Sequence, residues 1–361
     1  MKTSQRNSNI EFLRILLMIG VIILHINNPS IGGAMLYVAG YKKWLIYFFE
    51  SIFVCSVDLF IMISGYYLIN IDTRNVWKPV ELIFQVILVK VVLYFLRTVL
   101  GNTDLSIGGI IGSFIPSNYF AVLYAVVYLL SPMVNRSLKN MDAGILGKAL
   151  NASVVLLSIL PTLVDLFSEV TSKEWLGLSP VGMYGSQWGY SLVNFILMYI
   201  IGAYLRIIEE NRGKQKETDK KKKSQTFGWL VCLFACGIVL TVWACVNDYT
   251  GYNTERSAWE YCNPIVVYEA ILILKIFKSF EIKSKVINRL AGACFITFLI
   301  QNTIIQKLPV EQVAKENVII MILLFVLFAV GIYLLCWLVY EVYIRIFGKL
   351  FKKIAPKDIL M

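Results

Sequence analysis

Histidine is almost missing: His25 is the only one in 361 residues. No metal centre is expected from so poor a set of imidazole ligands. Charge is scarce as well, at 16% of residues, against about 25% in an ordinary soluble chain. A soluble globular enzyme is excluded by that shortage. The seven cysteines form no framework. Cys55, Cys232, Cys236, Cys245, Cys294 and Cys336 fall within apolar runs, Cys262 lies near a loop, and no spacing reads as a disulfide scaffold or a zinc site. An internal repeat is also lacking.

Apolar residues fill the space that charge leaves. They make up 58% of the chain, with a mean hydropathy of +0.69. They are grouped in runs of roughly 18 to 25 residues, the length that crosses a ~30 Å hydrocarbon core as a helix. The expected fold is therefore all-α, a polytopic membrane helical bundle forming one domain over 1–361. Ten spans are expected near 10–27, 44–70, 79–100, 119–134, 147–168, 191–208, 227–246, 263–279, 287–307 and 317–347. With the N-terminus and C-terminus inside, the inner segments hold 25 of the 34 Lys and Arg and the outer ones seven. That is the positive-inside bias. The net charge of +11 is then a topology signal and an attraction to anionic lipid rather than to nucleic acid. Arg14 and His25 inside the first run argue against a cleaved signal peptide.

The longest polar stretch, 209–225, holds Lys220, Lys221, Lys222 and Lys223 and reads as a cytoplasmic linker between six helices and four. The longest outer segments are 101–118, 169–190 and 247–262. They carry Trp175, Trp188, Trp259, Tyr184, Tyr190, Tyr252 and Tyr261. Such rings anchor a protein at the membrane interface, and they also suit stacking on sugar rings; the anchor reading is favoured for most.

Chemistry concentrates on the first helix. Arg14 precedes His25 by eleven residues, which brings both within roughly 20° of one direction, about 16 Å apart along the axis. Glu11 is three residues before Arg14 and can pair with it. Two readings stand open on periodicity. Either Arg14 points into the bundle toward a partner or ligand, as intramembrane charges commonly do, or it snorkels to the inner headgroups bridged to Glu11. Asp58, in the second span, likewise either orients His25 or ties helices together through Arg14, Lys90 or another partner. Lys90 and Arg97 share a face of the third helix, and Glu341 and Arg345 read as an i,i+4 pair.

Asn9, Glu11 and Arg14, followed by ten residues and then His25, resemble the first helix of the acyltransferase-3 family of bacterial membrane acyltransferases. Segment 57–66, with Asp58, Ser64 and Gly65, resembles the family's second helix. Tyr119, Phe120, Tyr124, Tyr128, Ser131, Pro132 and Asn135 also match, as do Gly202 and Arg206 at the end of the sixth span. Gln301 stands where members often carry a second histidine, and only Arg74 and Lys78 occupy the loop where a basic pair is common.

The resemblance implies an O-acetyltransferase in a bacterial inner membrane. It would move an acyl group, acetyl by expectation, from acetyl-CoA to a hydroxyl of a polysaccharide or lipid-linked glycan, without a metal. His25 would be the general base, with Arg14 and Asp58 beside it, and Glu11, Arg74, Tyr119 and Gln301 would meet substrates. Direct transfer and an acyl-enzyme both remain open, and so does the oligomeric state. A polytopic transporter or flippase fits the composition equally well, but it does not account for the Arg-to-His spacing.

Overall fold

The computed structural model describes residues 7–211, 213, 219–251 and 257–354, and every regular element among them is helical. In order they are α1 (Ser8–Asn27), α2 (Ala34–Tyr37), α3 (Tyr41–Phe53), α4 (Ser56–Leu68), α5 (Trp77–Val99), α6 (Ile107–Phe114), α7 (Tyr119–Lys139) and α8 (Ala143–Val154). A π-turn, Val155–Ile159, leads into α9 (Leu160–Thr171). Then come α10 (Leu192–Asn211), α11 (Asp219–Thr250), α12 (Pro264–Lys278), α13 (Lys285–Leu290), α14 (Cys294–Ile305), α15 (Val310–Lys315) and α16 (Val318–Ile354).

Among the described residues, eight helical stretches are long and apolar enough to cross a membrane. The runs expected at 263–279 and 287–307 hold the 15-residue α12 and the 12-residue α14, both shorter than the others. The second expected span is two helices, interrupted at Val54 and Cys55, where the Ser56 hydroxyl donates to the Phe53 carbonyl at 2.6 Å. Side-chain caps start many of the helices: Asn7 accepts from the Asn9 amide, Asn118 from Ala121, Asp142 from Gly144, and Asn263 from Ile265.

The expected linker is shorter than 209–225, because α10 continues to Asn211 and α11 begins at Asp219. Residues 212 and 214–218 of it lie outside the described residues, as do Tyr252 and Arg256. The side chains of Lys220, Lys221 and Lys222 also lie outside the description.

α1 is the axis of the bundle. Its membrane window is 72% buried by protein, against 6% for α5 at the periphery. Around α1 pack α3, α4, α12, α14 and α16, and α10 lies against α4 on the far side. A helix enclosed this way must face protein on all sides, which is why α1 is apolar almost throughout and why its few polar side chains point at neighbours.

Candidate active site

Two polar groups mark α1. Near its start Glu11 is buried and its carboxylate accepts from the Arg14 guanidinium at 3.3 Å. Arg14 is still a third exposed, so this bond does not exhaust its donors. The exposed part faces two cavities. One, of about 330 Å³, lies between α1, α4, α5, α7, α14 and α16 and is bounded by Glu11, Arg14, Phe60, Ser64, Phe120 and Phe298 among others. The second, of about 250 Å³, adds Tyr67, Lys78 and Tyr128 and shares Arg14, Ser64, Leu82 and Tyr124 with the first. Shared walls make them neighbouring chambers of one passage with Arg14 at the join. The passage is apolar-walled, with a cationic residue at the join and another, Lys78, beyond it.

The other group sits eleven residues on. His25 lies against Gln301 and Asn302 of α14. None of these side chains completes a hydrogen bond at the atoms they bury: Nδ1 of His25, both amide atoms of Gln301 and Oδ1 of Asn302 have no partner. Gln301 is fully enclosed. A buried amide left unpaired costs on the order of 1–3 kcal/mol. Three such residues in one place are a polar surface that folding alone does not reward. α14 lies along the same side of α1 at Arg14, where the Cys294 thiol donates to the Arg14 carbonyl at 3.5 Å. Arg14 and His25 thus both belong to the α1 flank that meets α14.

Asp58 joins two other helices. It is buried on α4, and its Oδ1 accepts from the Asn194 amide of α10 at 3.1 Å, a helix-to-helix bond. Its Oδ2 has no partner, nor has Oδ1 of Asn194. Arg74 is almost wholly buried, and its guanidinium is committed to protein. Nε donates to the Ser131 hydroxyl at 2.6 Å, and the terminal nitrogens reach the carbonyls of Leu68, Ile71 and Thr73. The residue of that loop that lines the passage is Lys78. Tyr119 opens α7 and packs its ring on Tyr190 at 4.6 Å.

The charged residues of the third span reach neighbouring segments. Lys90 donates to the Ile115 carbonyl and the Ser117 hydroxyl, both at 2.6 Å. Arg97 reaches Thr303 at 3.0 Å. Glu341 pairs across helices with Arg289 at 2.6 Å rather than with Arg345 on its own helix. Asn302 was missed by sequence reading, although its place beside Gln301 is a signal. The Ser64 hydroxyl bonds the Phe60 carbonyl at 3.1 Å and lies 3.3 Å from the Tyr124 hydroxyl, on the wall of both chambers. Among the described residues no group of three or more His, Cys, Asp or Glu is arranged to hold a metal.

The profile of the acyltransferase-3 family, described as an acyltransferase domain, matches residues 7–341. The chain belongs to that family, and it is a multi-pass membrane acyltransferase. No curated protein and no solved structure matches it.

Proposed function

We propose that this acyltransferase carries an acetyl group from acetyl-CoA to a hydroxyl of a cell-surface or exported glycan, in a bacterial inner membrane, with His25 as the general base. The observation that carries the reading is the unpaired polar surface formed by His25, Gln301 and Asn302 on the same α1–α14 flank as Arg14 and its passage. Hydrolases and transferases that act on esters need a base, a donor of hydrogen bonds to the developing oxyanion, and a place for the acyl donor. Each has a candidate on that flank.

In this scheme Arg14 and Lys78 line the passage that takes the thin pantetheine arm, their positive charge facing a polyanionic donor. His25 takes the proton of the acceptor hydroxyl as its oxygen bonds to the thioester carbonyl carbon. The C–S bond then breaks, and the proton passes from His25 to the departing thiolate. Gln301 and Asn302 place side-chain amides beside the imidazole, and they are suited to hold the acceptor or the carbonyl oxygen. Gln301 cannot itself be a base, so one imidazole serves both proton transfers.

The test is the ester-linked acetyl content of isolated surface glycan from a deletion strain complemented with wild type or with His25→Ala, at matched membrane levels. Wild type restores the ester. His25→Ala lowers transfer by roughly 10²- to 10⁴-fold, the usual worth of a positioned base. Equal restoration by both would remove His25 from the chemistry, and no ester with wild type would remove glycan O-acetylation.

A further inference from the structure

A third cavity, of about 370 Å³, lies apart from the passage, among the segments that join α9 to α10 and α11 to α12. Its walls include Asp165, Tyr184, Ser186, Gln187, Trp188 and Glu260. Glu260 is 1% exposed, and neither of its carboxyl oxygens has a hydrogen-bond partner, although Ser186 and Asp165 lie beside it. A buried carboxyl with two unpaired oxygens on a cavity wall is costly to keep. It is a stronger pointer to a ligand than the acidic residues around it.

The wall is built at some expense. Asp165 on α9 accepts from the Ser186 amide at 2.8 Å and crowds Gly185, whose Cβ position its carboxylate would occupy. Gln187 and Trp188 follow with φ of 53° and 56°, two consecutive non-glycine residues in the left-handed region. Such backbone costs on the order of 1–3 kcal/mol per residue and persists where the surroundings impose it. The result is that the Trp188 ring stands half exposed at the cavity.

The cavity is joined to the active-site end of the bundle. The Tyr261 amide donates to the Trp188 carbonyl at 3.2 Å, and the rings of Tyr261, Tyr190 and Tyr119 follow one another at 4.9 and 4.6 Å. Phe120, next to Tyr119, packs on Phe298 at 5.6 Å, one turn before Gln301 and Asn302. Packed side chains and one backbone hydrogen bond therefore link the Trp188 segment to the α7 end that meets α14.

We infer that this cavity is a distal sugar-binding subsite, which holds a ring of the acceptor glycan away from the hydroxyl that receives the acyl group. The inference rests on the glycan reading given above. A sugar ring presents an apolar face to an aromatic and a rim of hydroxyls to polar groups, which is the pairing that Trp188, Glu260, Gln187 and Ser186 offer. Asp165 and Glu174 on the same wall leave an amine or metal cation as the rival occupant, which the experiment below separates from a sugar. Burial first, and then the charge of Asp165, pushes the Glu260 carboxyl well above the ordinary carboxylate value of 4.5. That direction favours the neutral acid, which both donates and accepts, as a hydroxyl requires.

The probe is a set of oligosaccharides made by partial hydrolysis of the producing cell's surface glycan, with esters removed by mild base. Binding to the full chain in lipid nanodiscs is read by saturation-transfer NMR and by titration. Wild type binds the fragments. Trp188→Ala and Glu260→Leu each weaken binding roughly ten-fold or more, the effect of losing hydrogen bonds and an aromatic contact. Glu260→Leu keeps the bulk and removes an unpaired buried acid, so it keeps the fold if Trp188→Ala should not. Trp175→Ala, an exposed tryptophan that does not line the cavity, binds as wild type.

Three results would overturn the subsite: no binding by wild type, equal binding by all variants, or fragments displaced by spermidine that itself binds only when Glu260 is present. The parent reading is judged separately, on ester content in the His25→Ala comparison. Fragments that bind independently of Trp188 and Glu260 alongside an essential His25 would sink the subsite alone.

Discussion

At the scale of single residues, Arg74 and Asp58 separate what a pattern can say from what packing decides. The resemblance gives Arg74 a place near the acyl donor, because it is one of two basic residues in the loop after α4. In the structure its guanidinium closes the end of α4, donating to the carbonyl of its last residue, Leu68, and to those of Ile71 and Thr73 just beyond, while Asn135 also donates to Leu68 at 2.7 Å. Charge alone does not reveal this, since a planar fork buried among carbonyls and a phosphate ligand have the same letter. We expect Arg74→Ala to lower stability by about 2–4 kcal/mol, because four acceptors lose one donor each and only Leu68 and Ile71 keep another, from Asn135. Arg74→Lys should not restore it, since an ammonium cannot reproduce the fork. Thermal unfolding and membrane yield would fall while transfer per folded molecule holds. Lost transfer at unchanged stability would instead place Arg74 on the donor. His25 and Arg14 were legible because one helix carries both and helical spacing alone aligns them. The Asp58–Asn194 bond was not, because it joins residues 136 positions apart.

At the scale of elements, run length predicts that a helix exists better than where it stops. The first, third and seventh runs become α1, α5 and α11, since nothing in them opposes a straight helix. The second breaks at Val54, and the fifth relaxes through the π-turn before Pro161, whose missing N–H prevents a regular ladder there. What no run length discloses is which helices touch. α4 and α10 are the most extensively packed pair. Their backbones meet at reciprocal glycines: a Cβ on Gly65 would overlap the Tyr199 carbonyl, and one on Gly202 the Met62 carbonyl. Small residues at a membrane helix crossing permit this approach. Gly65→Ala or Gly202→Ala should force the pair apart and cost about 1–3 kcal/mol, seen as a lowered unfolding midpoint in detergent. Gly331→Ala, where a Cβ meets open space, serves as the control. A midpoint as high as wild type in both crossing variants would mean that the contact is not close.

For the whole molecule, the decisive quantity is how many times the chain crosses, because that sets which loops and cavities share a side of the membrane. The basic residues argue for both termini inside, yet α14 alone rises only about 18 Å, too little for a ~30 Å core. It is not alone. α13, the short turn at Ala291–Ala293 and α14 follow without a gap from Lys285 to Ile305, and such a stretch is long enough to cross. If it does, Lys283 and Lys307 stand on opposite faces, as do Asn140 and Thr103 at the two ends of the α5–α7 region. All four are exposed. In a background with the seven native cysteines replaced by alanine, Thr103→Cys and Lys307→Cys should react with an impermeant maleimide in intact cells. Asn140→Cys and Lys283→Cys should react only after permeabilisation. Labelling of Lys283→Cys and Lys307→Cys from one side would make 285–305 re-entrant. The C-terminus of α16 would then change sides. Reversal of all four would invert the bundle and bring the Trp188 cavity to the cytoplasm, against the glycan acceptor proposed above.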